Sequence, residues 1–360
     1  GSLLYTDSIP TNDSIVSERL KKAGAIILGK TNVPEFGLAS TTENRLGDAC
    51  RNPWDTDTTV GGSSGGAASA MGAGLCSLAT GGDGAGSIRI PAGFCGVYGM
   101  KPTQWLVPAG GNNPTNNSSL NLFQQLGPLS RTVKDAALML QVMTGHDDRD
   151  PLSLRGSRPD LLSDLEGGIA GLKIGWSPNL GFAAIDPEVA KITYKAAMVF
   201  NELGCKVEEI NINIRDFLDP FLTVLKTKAA TSYGHLLRQH ADQLSDNSKE
   251  VIESGLAISG VEYGQALQSC LEVQAQLRGI FDLYDLILTP TAPGTAFPIG
   301  HQPCTVNGKK VDAKWGFSTL GIAFNISQQP AASVPCGSSK KGMPVGLHII
   351  GQEGADHIVL

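Results

Sequence analysis

Between Val60 and Thr103 the chain reads VGGSSGGAASAMGAGLCSLATGGDGAGSIRIPAGFCGVYGMKPT, and no other stretch limits the fold as strongly. Ten of the 27 residues from Val60 to Gly86 are glycine. Glycine weakens ordinary helices and strands because it has the most backbone freedom to lose. Such a concentration predicts backbone held where a side chain would not fit, or brought close to a ligand. Ser63, Ser64 and Ser87 stand among these glycines. The spacing leaves room for an alanine-rich helix over Gly66 to Leu75 and a short strand, so serines far apart in sequence can meet in space.

Gly61-Gly62-Ser63-Ser64-Gly65 satisfies GxSxG, but the nucleophile elbow of that pattern needs a strand before it, and Trp54 to Thr59 reads as polar loop. Gly82-Asp83-Gly84-Ala85-Gly86-Ser87 looks like a phosphate-cradling loop, yet it fits neither GxGxxG nor GxxxxGK[ST]. A different chemistry fits better. Small residues just before a serine let several backbone N–H groups converge on one point, which is what an oxyanion hole needs. A serine at the end of such a run can be a nucleophile whose attack places the oxyanion beside its own backbone. The histidines His146, His235, His240, His301, His348 and His357 form no HExxH and no pair with a nearby carboxylate in a glycine-rich loop. A nucleophilic serine here is therefore expected to be activated by something other than histidine, with no metal or organic cofactor.

The remainder reads as alternating helices and strands, which predicts an α/β fold. A helix capped by Asn12 or Asp13 leads into a strand over Ala25 to Leu28. Residues 40–60 and 104–127 read as loops, and residues 146–168 as a charged connection. Thr132 caps a helix ending at Gly145, and Asp186-Pro187 opens another that runs to Leu203. Strands are expected at Leu172–Gly175, Cys205–Ile212 and Leu286–Thr291. Residues 215–283 should be mainly helical, and two strands should flank Lys340-Lys341-Gly342. The net charge of −6 argues against nucleic acid as a partner, because phosphate binding needs basic surface. No apolar run is long enough to span a bilayer as a helix. Seven scattered cysteines without a CxxC pair fit a reducing compartment, which makes a cytoplasmic location the expectation.

Gly61 to Thr103 strongly resembles the amidase signature family, whose pattern runs GGSSGG, a small-residue helix, then GxDxxGSIRxPAxxCGxxGxKPT. Further matches are Gly29-Lys30-Thr31-Asn32, Pro34-Glu35-Phe36, Gly127-Pro128-Leu129, Leu288-Thr289-Pro290-Thr291, Phe324-Asn325 and Pro344-Val345-Gly346-Leu347. The resemblance implies one α/β domain over residues 1–360, with a large mixed β-sheet core surrounded by helices. It implies a Ser–Ser–Lys amidohydrolase of small or linear amides. Ser87 matches the nucleophile and Ser63 the bridging serine on a cis peptide bond. Gly84, Ala85 and Gly86, with Ser87 itself, match the oxyanion-hole backbone. Ser64 is expected to support the bridge by hydrogen bonding, and Asp83 and Arg89 to be structural.

The family's catalytic lysine lies further upstream of the bridging serine than the 62 residues preceding Ser63, and Lys30 reads as structural instead. The natural protein is accordingly expected to extend beyond both ends of these 360 residues. The alternatives are an inert member without the lysine and the A subunit of a tRNA-dependent amidotransferase, which would need partner subunits. Ile90 favours a stand-alone amidase. A homodimer stays open.

Overall fold

A computed structural model describes residues 1–110, 122–156, 158–163, 165–214 and 216–360. Ser157 and Asp164 of the expected connection, residues 111–121 of the expected 104–127 loop and the first residue of the expected helical region fall outside that set. Among the described residues an eight-stranded sheet forms the framework. Its strands are β1 (Leu78–Asp83), β2 (Tyr98–Lys101), β3 (Gln125–Ser130), β4 (Lys173–Trp176), β5 (Lys206–Glu209), β6 (Leu286–Pro290), β7 (Ala331–Ser338) and β8 (Pro344–Gly351). They lie in the order β1-β3-β2-β7-β8-β6-β4-β5. The five pairings from β1 to β6 are antiparallel, and β6-β4 and β4-β5 are parallel, so the sheet is mixed.

Side-chain alternation along each strand divides the core between the two faces. On β6, Ile287 joins one apolar cluster with Phe221, Val273 and Leu277. Its neighbours Leu286 and Leu288 join the other, with Leu140, Met143 and Trp176. The helices covering the faces are α1 (Ile15–Lys22), α2 (Gly65–Gly72), α3 (Arg89–Cys95), α4 (Val133–Met143), α5 (Pro187–Glu202), α6 (Leu218–His240), α7 (Asp246–Leu256), α8 (Gly260–Ile280), α9 (Thr319–Ile326) and α10 (Asp356–Val359). Several start where their caps predict. Thr132 Oγ1 accepts from Asp135 N at 3.1 Å, and Asp186 Oδ1 accepts from Glu188 N at 2.7 Å ahead of Pro187.

Four local expectations fail for physical reasons. The cap of α1 is Ser14, whose hydroxyl accepts from Ser17 N, so neither Asn12 nor Asp13 serves. Ala25–Leu28 is not a strand: Ile26 and Leu28 are 86% and 76% exposed, and no strand among the described residues lies alongside to take its hydrogen bonds. Residues 51–59 fold back as a two-stranded ribbon, Arg51–Asn52 against Asp55–Thr59. The last residues of the expected 104–127 loop, Gln125 to Gly127, already belong to a strand, because they pair with Asp83, Gly82 and Gly81 of β1.

The glycine-rich stretch crosses the β1 end of the sheet. It runs through α2, up β1, around a tight loop at residues 84–88 and into α3, whose residues are all buried. Small residues make this packing feasible. A Cβ on Gly66 would fall 2.3 Å from Asn32 N, and Gly66 N donates to Asn32 O at 3.1 Å. The Gly29–Asn32 segment thus anchors α2 through Asn32, while Lys30 is exposed.

Candidate active site

Ser63 and Ser87 line the same cavity, of about 100 Å³. The peptide bond between Gly62 and Ser63 is cis, in agreement with the resemblance. Ser64 N donates to Ser87 O at 3.0 Å, which fixes the two serine loops against each other. The Ser64 side chain turns to β1: its hydroxyl donates to Gly82 O and accepts from Gly82 N, both at 3.2 Å. It supports the site by pinning that strand rather than by reaching Ser63.

Gly84 and Ala85 also open onto the cavity. Gly86 does not. Its N–H donates to Asp83 Oδ1 at 2.8 Å and lies 3.2 Å from Asn325 Oδ1, so it is committed to the protein interior. Of the expected oxyanion-hole backbone, Gly84, Ala85 and Ser87 line the cavity, and Gly86 turns the loop behind them. Its φ of +90° suits glycine, and a Cβ there would meet Ile90 Cδ1 at 2.8 Å.

Behind this loop lies a buried polar knot. Asp83 and Arg89 are 0% and 1% exposed and form a two-pronged ion pair, Nη2 to Oδ1 at 2.8 Å and Nε to Oδ2 at 2.9 Å. Burial would push the Asp83 carboxyl up, but the Arg89 guanidinium and the Asn325 amide outweigh it and hold it well below the usual carboxylate range. Asp83 Oδ2 also accepts from Ile88 N at 3.1 Å, so the carboxylate shapes the loop on both sides of Ser87. From α9, Asn325 Nδ2 donates to Asp83 O at 2.9 Å, and its Oδ1 accepts from Arg89 Nη2 at 2.7 Å. From β8, His348 Nε2 lies 2.9 Å from Arg89 Nη1. A guanidinium can only donate, so that nitrogen accepts and the imidazole is neutral; burial depresses its basicity further. Lys101, fully buried and bonded to Pro102 O at 2.9 Å, is brought down to about 7 by burial and by Arg89, against the pull of Asp83 and Asp356. Asp83 and Arg89 thus spend their polar atoms on the protein interior, behind the loop that carries Ser87.

The opposite wall comes from α6. Phe221, Val224, Leu225 and Lys228 face the cavity at helical spacing, and Phe36 stacks on Tyr233 with ring centroids 4.0 Å apart. No lysine or histidine among the described residues is hydrogen-bonded to Ser63 or Ser87. In the sequence Asn325 stands within the family pattern and His348 among the unclustered histidines, neither with a role, while Gln124 and Lys228 stand in no pattern. Lys228 nevertheless has a readable trace, as a charge at a position where the helix repeat calls for an apolar residue.

The loop between β1 and α3 carries Ser87 into one cavity with Ser63, which follows a cis peptide bond. The sequence profile of the Amidase family matches residues 1–360. The chain belongs to the amidase family. Among curated relatives, the acylamidase of Rhodococcus erythropolis is 34% identical, over 98% of this chain and 74% of its own length. The A subunit of the glutamyl-tRNA(Gln) amidotransferase of Alkaliphilus metalliredigens is also 34% identical, over 100% and 77%. The crystal structure of a bacterial aryl acylamidase of the amidase signature enzymes superposes with a TM-score of 0.91 at 31% identity, covering 100% of this chain and 76% of that one. This amidase is thus an enzyme of carboxamide hydrolysis, built on the family's α/β fold.

Proposed function

We propose that the amidase cleaves acyl or aryl amides through an acyl-enzyme on Ser87. One observation carries the reading: Ser63 and Ser87 share a single cavity with the open backbone of Gly84 and Ala85. Ser87 Oγ attacks the amide carbonyl while its proton passes to Ser63 and on to a base beyond it. The carbonyl oxygen becomes an oxyanion against the N–H groups of Gly84, Ala85 and Ser87. Collapse breaks the C–N bond, and the amine leaves with a proton returned through Ser63. Water then attacks the ester carbonyl and releases the acid. Aromatic side chains line the cavity, which suits an apolar acyl or aryl group, and the two acylamidases named above point the same way. All seven cysteines are free thiols, which suits a reducing cytoplasm.

A serine-directed fluorophosphonate tests this directly. Adduct mass on the peptide carrying Ser87, lost in Ser87→Ala, is the expected result. A chain that never labels between pH 6 and 10 would be an inert member of the family. The amidotransferase relative supports a second reading, in which the chain works within a larger complex and depends on partner chains. Recovery of stoichiometric partner chains on purification from its native host would favour it, and recovery of the amidase alone would remove it.

Among the described residues no helix is long and apolar enough to cross a membrane, and no group of three or more His, Cys, Asp or Glu could hold a metal ion.

A further inference from the structure

Lys228 is the one charged side chain among the described residues lining the cavity. It lies on α6, seven positions after Phe221, so it shares a face with Phe221, Val224 and Leu225. That face packs against aromatic neighbours: Phe221 lies 5.8 Å from Phe123 and 6.5 Å from Trp315, centroid to centroid. An ammonium in this setting has lost water without gaining a carboxylate, because its hydrogen-bond partner among the described residues is the neutral Gln124 Oε1 at 3.1 Å. A lysine has three N–H donors, and this bond uses one of them.

Gln124 joins this lysine to the reaction centre. Its backbone carbonyl accepts from Gln104 Nε2 at 2.9 Å, which fixes the residue just ahead of β3. Its side chain lies over β1 and the start of the nucleophile loop: a Cβ on Gly82 would come 3.1 Å from Gln124 Nε2, and one on Gly84 3.6 Å from Gln124 Cβ. The ammonium and the nucleophile therefore border one small space from opposite walls. Lys228 is bonded to Gln124 and not to either serine, so its place is in recognition rather than in the proton relay. Burial brings its basicity down to about 8, in keeping with a cation that lacks a counter-charge.

We propose that Lys228, held by Gln124, binds a carboxylate at the far end of the substrate, so that the amidase prefers amides of dicarboxylic acids, with one acid free and the other in the scissile amide. This inference rests on the acyl-enzyme reading for its reaction, but not for its binding. The apolar lining of α6 takes the methylene or aryl spacer between the two carbonyl groups. The free carboxylate completes the hydrogen bonding of the ammonium and gives it the negative partner that the cavity lacks.

The test compares N-phenylsuccinamic acid with N-phenylsuccinamide, two ligands of the same shape that differ by one negative charge. Titration calorimetry at pH 7 on the full chain and on Ser87→Ala should show the acid binding at least tenfold more tightly than the amide. Lys228→Met should bind the two within twofold of each other, and Lys228→Arg should keep a preference. Equal affinities in the unaltered chain, no measurable binding of the acid, or a preference that survives in Lys228→Met would each overturn the assignment. The comparison within the unaltered chain stands even if a variant folds poorly. Release of aniline, followed separately, reports on the reaction. Preferential binding without aniline release would keep the subsite and remove the acyl-enzyme reading. Aniline release without preference would do the reverse.

Discussion

The two walls of the cavity are built on opposite plans. The serine wall, from Gly61 to Thr103, consists of small residues over a buried ionic knot in which Asp83, Arg89, Asn325 and His348 satisfy one another. The facing wall, α6, is a helix with apolar residues at ordinary spacing and a single weakly compensated charge, Lys228. The first plan fixes atoms to within a hydrogen bond and tolerates little change. The second sets the shape and polarity of the cavity's far side. On the proposed reading, chemistry belongs to one wall and choice of substrate to the other.

The largest expected effect breaks the serine wall at its reacting atom. Ser87→Ala should lower amide turnover by about 10⁴-fold or more, leaving unfolding in urea within about 1 kcal/mol of the parent. Retained turnover would move the chemistry elsewhere. Next, Arg89→Met leaves the Asp83 carboxylate buried without its partner and should cost about 3–5 kcal/mol in the same measurement. A loss below about 1 kcal/mol would mean that the knot does not set this wall apart.

Gly86→Ala should be milder, at about 1–3 kcal/mol, because the new methyl meets Ile90 in a backbone region that disfavours side chains. Its effect on kcat should exceed its effect on KM, since the loop aims Ser87.

The smallest effect probes the helical wall. The basicity of Lys228 in the folded chain, about 8, lies below its unfolded value near 10.4. The ammonium therefore opposes folding in full below pH 8. Between about 8 and 10.4 the unfolded chain binds more protons, so stability rises with pH until the penalty is gone. Lys228→Met should gain on the order of 1 kcal/mol at pH 7, and that gain should shrink across the same window. A gain that is flat from pH 7 to 10.5 would dissociate it from the charge.

How much of this could be read in the sequence depended on whether the signal was local. Thr132, Asp186 and the Lys340–Gly342 turn act on their own neighbours, and the elements they predict are present. Ala25–Leu28 has strand composition, but a strand also needs a partner, and composition cannot supply one. The serine loops were legible because residues 61–103 carry both, with their glycines, in one continuous pattern. The four residues of that pattern expected to react or to stabilise the oxyanion and found facing the cavity, Ser63, Gly84, Ala85 and Ser87, could all be named in advance. Gly86 was misassigned because its N–H is claimed by Asn325 as well as by Asp83, and Asn325 lies 239 residues away. The roles of Asn325 and His348 are hidden for the same reason: a single Asn in an apolar helix and a single His in a strand show no partner until the fold brings them to Arg89.

Those separations also set the order in which the enzyme becomes an enzyme. As the chain leaves the ribosome, both serines emerge well before α9 and β8 exist. Until residues 325 and 348 arrive, Arg89 lacks two of its acceptors and the loop around Ser87 lacks its backing. A nascent or prematurely ended chain therefore carries Ser87 without the contacts that back its loop. The loop around Ser87 is therefore completed last by residues made long after it.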